Sequence, residues 1–553
     1  MLTDAAEFPD RYEFPADICI VGAGAAGITI AVELIGSGLS VLLVESGGFR
    51  PETATQVLYE GSVADQRMHS PADRYRQRRF GGTTTIWGGR CMPFDAIDFE
   101  YRSYIPHSGW PISRDELLPY YRRANPICEA GKFAYTASEA FGAAAKPIID
   151  GFSGPHFTSD RLERFSRPTN FGARYRSALA AATNVQVVLH ANLTEIDLNA
   201  DATRVDRLVL RSITGKSFSA RAKHYVIAAG GLETARLLLA NRRQQTCGIG
   251  NQGDAVGRFY MCHLAGTIGT IKIDRPADAV RSGYSIADEG VYCRQRFALN
   301  EDEQRRSGIG NFIARLHHPR ITDPAHRNAV LSLLFLAKPL IPYEYSKRLH
   351  GDGGTGLRDW LRHVGNVASG PFDAVGFAWH MLRDRLLADR KFPSIIIKSK
   401  ANLYSLDFHA EQVPNPSSRV TLDDSRDRFG MPRLRIDWRY SPEDVHTVCS
   451  ALELLASDFK SSGSGRFEYD PASVEAEMVR YGAYGGHHIG TARMGTDPRS
   501  SVVDSDCRVH SVDNLFIGGS ATFPTSSQAN PTLTIVALAL RLAQHLRNTA
   551  GSV

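Results

Sequence analysis

Three stretches of this 553-residue chain carry residue types able to hold or change a ligand. The first is Gly22-x-Gly24-x-x-Gly27, with an acid, Glu45, 23 residues after Gly22. Glycines at this spacing allow a tight turn, a close approach of backbone to a pyrophosphate, and close packing of helix on strand. A helix starting there would point unpaired N–H groups and its positive dipole end at the phosphates. Glu45 would accept from a ribose hydroxyl, and an acid there disfavours a 2′-phosphate. The second stretch is FGGTTTIWGG, residues 80–89, where four glycines flank three hydroxyls and Trp87. Such a loop gives a flat polar ligand close access to backbone N–H groups. The third lies near the C-terminus: GGHHIGTARMG (485–495), NLFIGGSATFPT (514–525) and SQANPTLT (527–534). An imidazole moves protons near neutral pH, but the pair His487–His488 taken alone reads first as packing at a turn.

The elements that must position these stretches follow from local pattern. Ile18–Val21 is a short apolar run leading into the glycines, Ile28–Ile35 has the apolar spacing of a helix, and Val41–Val44 is a second apolar run ended by Glu45. Strand, helix, strand and terminal acid in this order make a βαβ dinucleotide cradle. A single cradle near the start of so long a chain favours FAD over NAD. Ser113 before Glu116 is a capping-box spacing and predicts a helix from about 114 to 124. Residues 185–190, 204–212 and 225–231 read as strands, and Glu233–Asn241 as a helix beside the first unit. From 270 to 480 the pattern is less regular. A helical region at 359–390, split by glycines and Pro371, offers Trp360, Val364, Val367, Phe372, Phe377 and Leu382 as candidate core positions, after a loop HGDGGTG at 350–356. The last 20 residues or so form a helix after Asn530–Pro531, so the chain is expected to return to its first domain.

Composition narrows the class. The 64 Lys and Arg against 59 Asp and Glu give a net charge of +5 without a long basic block, so nucleic acid is not an expected partner. The local cluster Arg74, Arg76, Arg78 and Arg79 reads as a solvated face, with contact to an anionic cofactor group or partner as the alternative. No two of the eight cysteines form C-x-x-C, which argues against zinc ribbons and cluster ligation and for reduced core thiols in a cytoplasmic protein. No metal is expected. The acidic, polar start has no signal-peptide pattern, and the longest apolar run, 329–343, is broken by Lys338 and two prolines, so no transmembrane helix is expected.

The cradle with Glu45, the FGGTTTIWGG loop, VGRFYMCH (256–263) and HHIGTARMG followed by NLFIGGSATFPTSSQANPTLT together resemble the glucose–methanol–choline (GMC) oxidoreductase family, over about residues 15–130, 185–265 and 480–546. The wording is most similar to its sugar- and glycoside-oxidising branch. The resemblance implies an α/β fold: a discontinuous Rossmann-like FAD-binding domain (10–270 and 485–550, with local insertions around 90–180) and an inserted α+β substrate-binding domain built on a sheet (271–484). It implies oxidation of a CH–OH group on a sugar, glycoside or sugar-like substrate. His487, three residues before the glycine of H-x-x-G-T, takes the proton, and the hydride passes to flavin N5. Asn530 is the second catalytic position. FAD contacts are implied at Gly22, Gly24, Ala25, Gly27, Glu45, Gly81, Gly82, Thr83, Thr84, Thr85, Trp87, Gly88, Gly230, Gly519, Ser520, Pro531 and Thr532. Ser520 departs from the acid common at its place. Ile86, where branch members carry a flavin-bonding His before the Trp, implies non-covalent FAD. The electron acceptor is O2 or another oxidant, and an oligomer is compatible with the sequence. Oxidation of a non-sugar alcohol, a non-redox lyase-like flavoprotein, an NAD enzyme and a binding or structural protein that keeps the fold without activity are the rival readings.

Overall fold

The computed structural model describes residues 1–341, 356–393, 397, 402–483 and 486–550. The expected loop at 350–355 and Gly485 lie outside the described residues. Two large sheets organise the chain. The first has the order Leu2–Asp4, Val185–Leu189, Val41–Val44, Glu13–Val21, Ser217–Ile227, Val205–Arg211, Asn192–Leu198. Its first five strands are parallel, and the last two continue antiparallel. Buried on both faces, the parallel strands are continuous apolar runs such as Cys19-Ile20-Val21 and Val41–Val44, as such sheets require. The helix Ala25–Glu33 connects the second and third strands in chain order, completing the predicted βαβ unit. From the other end of the chain, Leu515–Ile517 joins this sheet, parallel to Tyr225–Ile227. The final helix, Thr532–Ala550, then packs on Ala25–Glu33 and on Arg114–Ile127. Ser113 and Glu116 cap that second helix reciprocally, as their spacing predicts.

The second sheet is antiparallel: Gly465–Glu468, Leu264–Ile273, Leu403–Ala410, Phe312–His317, Tyr292–Leu299, Phe157–Phe165, Arg90–Cys91. The middle of the chain is therefore more regular than its sequence suggests, and it recruits two strands from the 90–180 stretch. Its strands alternate with period two. Phe312, Ala314, Leu316, Leu406, Phe408 and Ala410 point to one side, into a core shared with Val448, Leu452, Leu455 and Phe459 of the helix Pro442–Ser461. The opposite face carries Arg294, Arg315, Asp407 and His409, and these too are buried.

Two expectations are corrected. Four of the six candidate core positions at 360–382 are not in a core: Phe372 is 89% exposed and Trp360 46%, with Val364 and Leu382 also exposed, whereas Phe377 packs against the cluster of Val330, Leu331, Leu334 and Phe335. The helices Leu357–Ser369 and Pro371–His380 do form and pack on Ala329–Leu336, through Phe377 and through polar side chains. His363 stacks on Phe335 at 4.0 Å, and the Asn366 amide donates to the Pro324 carbonyl and Ser332 hydroxyl. Periodicity marks an apolar stripe; it does not say which way the stripe turns. The arginine cluster is likewise no solvated face. Arg76 and Arg78 are buried, Arg76 lies over the Tyr59 ring, and Arg78 pairs with Glu233 at 3.0 Å.

One glycine is decisive for the first sheet. A Cβ on Gly27 would lie 1.9 Å from the Gly22 carbonyl oxygen. Gly27→Ala is expected to push the helix off the strand and cost about 1–3 kcal/mol, the usual range for overpacking. A urea midpoint equal to that of the wild type would contradict this.

Candidate active site

A cavity of about 850 Å³ lies between the two sheets, within the usual range for sites that bury a ligand of cofactor size. One end is the cradle. Gly22 takes φ +100° at the turn, and a Cβ on Gly24 would meet nothing within 4 Å, so the backbone there faces open space. Helix Ala25–Glu33 starts at this point, with Gly24 as its cap and no side chain meeting its first N–H groups. Glu45 is buried and lines the cavity. Its carboxylate accepts from the Ala23 N–H at 2.8 Å and the Gly47 N–H at 3.1 Å. It thereby braces the turn, and a carboxylate's four acceptor sites leave capacity for a ribose hydroxyl. Gly230, at φ +82°, and Gly519, at φ +105°, border the same space. A glycine-lined cradle at a helix N-terminus with an acid at the next strand end fits a dinucleotide of the FAD type.

The FGGTTTIWGG loop forms the next wall. Gly82, Thr83, Thr84, Trp87 and Gly88 line the cavity. The Thr84 and Thr85 hydroxyls turn back to the Gly81 and Gly82 carbonyls, which shapes the loop as a 3-10 turn, and the Trp87 indole donates to the Thr169 carbonyl at 2.9 Å. Three expected cofactor positions do not line the cavity: Gly27, Gly81 and Thr85. Each serves the backbone instead. Gly27 and Gly81 sit where a Cβ would collide, and the Thr85 hydroxyl is committed to Gly82. Ser520, Pro531 and Thr532 line the cavity, but the Ser520 hydroxyl donates to the His488 carbonyl at 2.7 Å.

His487 and Asn530 meet at the wall opposite the cradle. The Asn530 amide donates to His487 Nε2 at 3.1 Å, and His487 Nδ1 stands 2.7 Å from Nδ1 of His263. His263 Nε2 stands 3.1 Å from the Ser526 carbonyl. The carbonyl can only accept, so His263 carries its proton on Nε2. Burial holds His263 down to about 4, so the ring is neutral and its Nδ1 is an acceptor. His487 must then donate from Nδ1, which leaves the lone pair of the neutral ring on Nε2, toward Asn530. His488, by contrast, is buried beside His69 and Tyr260, and burial pushes its pKa well below the usual value.

The roof of the cavity is the charged face of the second sheet. Arg315 bridges Glu163 at 3.1 Å and Asp407 at 2.9 Å, and Arg90 lies 3.6 Å from Glu163. His409 stacks on His263 at 5.8 Å between ring centroids. Beyond the cradle, Arg78 reaches the lining with its partner Glu233, which burial opposes but Arg236 and Arg78 hold down to about 2 as a carboxylate. Sequence reasoning missed His263, Arg294, Asp407 and His409. The signal was the alternation Leu406-Asp407-Phe408-His409-Ala410, which by itself suits a strand with one face in water.

Gly24→Ala separates fold from cradle. Because its Cβ enters empty space, the variant is expected to unfold at the wild-type urea concentration yet carry less bound dinucleotide after gel filtration. Full cofactor occupancy would count against the cradle.

Residues 414–539 match the family described as GMC oxidoreductase, and residues 16–255 match Pyridine nucleotide-disulphide oxidoreductase. Paromamine 6'-oxidase of Streptomyces fradiae is 24% identical over 96% of this chain and 90% of its own. The fructose dehydrogenase large subunit of Gluconobacter japonicus is 26% identical over 96% of this chain and 98% of its own. The solved structure of a fungal aryl-alcohol oxidase shares the fold, with a TM-score of 0.55 at 14% identity, covering 98% of this chain and all (100%) of that one. The two matched segments enclose the cradle at one end and the His487–Asn530 pair at the other, and residues 414–539 carry the C-terminal part described for the GMC oxidoreductases.

Proposed function

We propose that the chain oxidises a CH–OH group of a sugar, glycoside or sugar-like molecule, with His487 as catalytic base and Asn530 as its partner at the reacting oxygen. The observation that carries the reading is the hydrogen-bonded chain Asn530–His487–His263–Ser526 at the cavity wall. Loss of hydrogen from an alcohol carbon requires that the O–H proton be accepted as the carbon is oxidised. His487 Nε2 holds the lone pair for that task, aimed by His263 from the other side of the ring, once the substrate hydroxyl replaces the Asn530 amide as its donor. The Asn530 amide, already a donor toward His487 Nε2, is placed to hold the oxygen as charge develops on it. Bound FAD supplies the two-electron acceptor. The sugar assignment draws on the relatives named above, one an oxidase of paromamine and another a fructose dehydrogenase.

The cofactor is held without a covalent bond in this reading. Ile86 offers no nucleophile beside Trp87, and Cys91 is fully buried and does not line the cavity. The cradle, Glu45 and the Thr83–Gly89 backbone carry the retention. The FAD-binding part comprises 10–270 and 485–550, and the substrate part 271–484, which accords with a cavity lined from both ends of the chain. The free cysteines agree with a cytoplasmic setting. Among the described residues no helix is long and apolar enough to cross a membrane. Oxygen uptake during turnover distinguishes O2 from another acceptor.

His487→Ala is expected to keep bound flavin and slow its anaerobic reduction by sugars by about 10²–10⁴-fold, the scale of a general base. Asn530→Ala should slow reduction more than it weakens FAD retention. Unchanged reduction rates in both variants would refute the assignment. In acid precipitation the yellow colour should leave the pellet on washing. Colour that stays with the pellet would demonstrate a covalent link.

A further inference from the structure

The charged roof of the cavity does not balance. On the face of the second sheet that meets the site, Arg315 is neutralised by Glu163 and Asp407, and Arg90 shares Glu163. Arg294 lies in register with Glu163 on the neighbouring strand, yet makes no ion pair among the described residues. Among the described residues it donates one hydrogen bond, from Nη2 to the Leu316 carbonyl at 2.6 Å. The side chain is over nine-tenths buried and lines the cavity. Its Nε and Nη1 are neither bonded within the protein nor among the buried unpartnered atoms, so they open into the cavity. A guanidinium stays charged under such burial. A buried cation whose remaining donors face an otherwise enclosed cavity is costly until an anion meets it.

We propose that Arg294 forms an anion subsite and that the substrate is a sugar bearing a carboxylate or phosphate. This rests on the reading of the site as a sugar oxidase or dehydrogenase and names its substrate class. His409, stacked on the partner of the base, pairs with Ile313 and through it faces Ala298, so Arg294 stands two strands across and four residues along from it, about 17 Å away at the ~4.8 Å strand spacing and ~3.4 Å rise. The planar fork of Arg294 matches carboxylate or phosphate oxygens two at a time, with the reacting hydroxyl at His487.

The test uses the holoenzyme and matched trios of substrate: glucose, glucuronate and glucose 6-phosphate, with the galactose and mannose sets. Anaerobic flavin reduction is followed by stopped flow. Binding to the oxidised enzyme is followed separately by the change in flavin absorbance. At least one anionic member should be at least tenfold better than its neutral partner in reduction rate over dissociation constant, and uronate against phosphate identifies the group. Arg294→Met should reduce that ratio at least tenfold, and Arg294→Lys should retain part of it. A wild type that favours neutral sugars, or a variant that slows neutral and anionic sugars equally, overturns the proposal. The second result assigns Arg294 to the flavin or the fold. If no sugar reduces the flavin while anionic sugars still bind in an Arg294-dependent way, the redox reading fails and the subsite stands. If Arg294→Met does not fold, the wild-type ratio and the lysine variant decide.

Discussion

Everything in the site depends on a three-residue strand. Leu515–Ile517 pairs with Tyr225–Ile227 in the parallel sheet, with all three residues buried, and so fastens the end of the chain beside a cradle built some 490 residues earlier. Backbone pairing in a buried sheet tolerates little slip, because a shift of one residue would turn every side chain to the wrong face. The strand leads directly into Gly519, the 3-10 turn Ser520–Thr522 and then Asn530. The anchor thus sets where Asn530 stands, and His487 is held to the same framework by the isolated pairing of Ile489 with Met261. His263, two residues beyond Met261, is delivered opposite His487 by that one bridge.

A second theme is the burial of charge. Globular proteins rarely enclose arginines and carboxylates without pairing them. Here Arg102 meets Glu411, Arg236 meets Glu233 and Asp427, and Arg315 meets Glu163 and Asp407, all buried. Apart from Arg236–Glu233, three residues apart in one helix, these pairs join elements far apart in sequence. In a site with little water, fixed charges and neutral imidazoles act more strongly than they would in solvent. His263, His409 and His488 are each pushed down by burial, so neutral rings stand around His487, whose Nε2 accepts from the Asn530 amide.

Much of the first sheet was legible in the sequence because its signals are local. The apolar run before Gly22, the glycine spacing and the acid at the end of the next run describe one contiguous unit. The Ser113–Glu116 cap is a four-residue signal and came out as expected. The second sheet was not legible. Its strands bury a polar face, and the alternation in Leu406–Ala410 is the same whether that face meets water or an enclosed cavity. The helices at 357–380 departed in the opposite sense: their apolar stripes suggest a core, but most of those positions are exposed, and His363 and Asn366 join Phe377 in the contact with the Ala329–Leu336 helix.

By itself, then, the sequence determined the cradle, the glycine–threonine loop and the membership of His487 and Asn530 in one C-terminal pattern, since each is written in residues close together along the chain. Tertiary structure alone decided which nitrogen of His487 carries its proton, because that depends on His263 and, through it, on a carbonyl at Ser526, neither of them near His487 in sequence. It also decided that Arg78 and Arg294 border an enclosed space rather than solvent. Burial is a property of what packs around a residue, and for both arginines the surrounding atoms come from strands and loops distant along the chain.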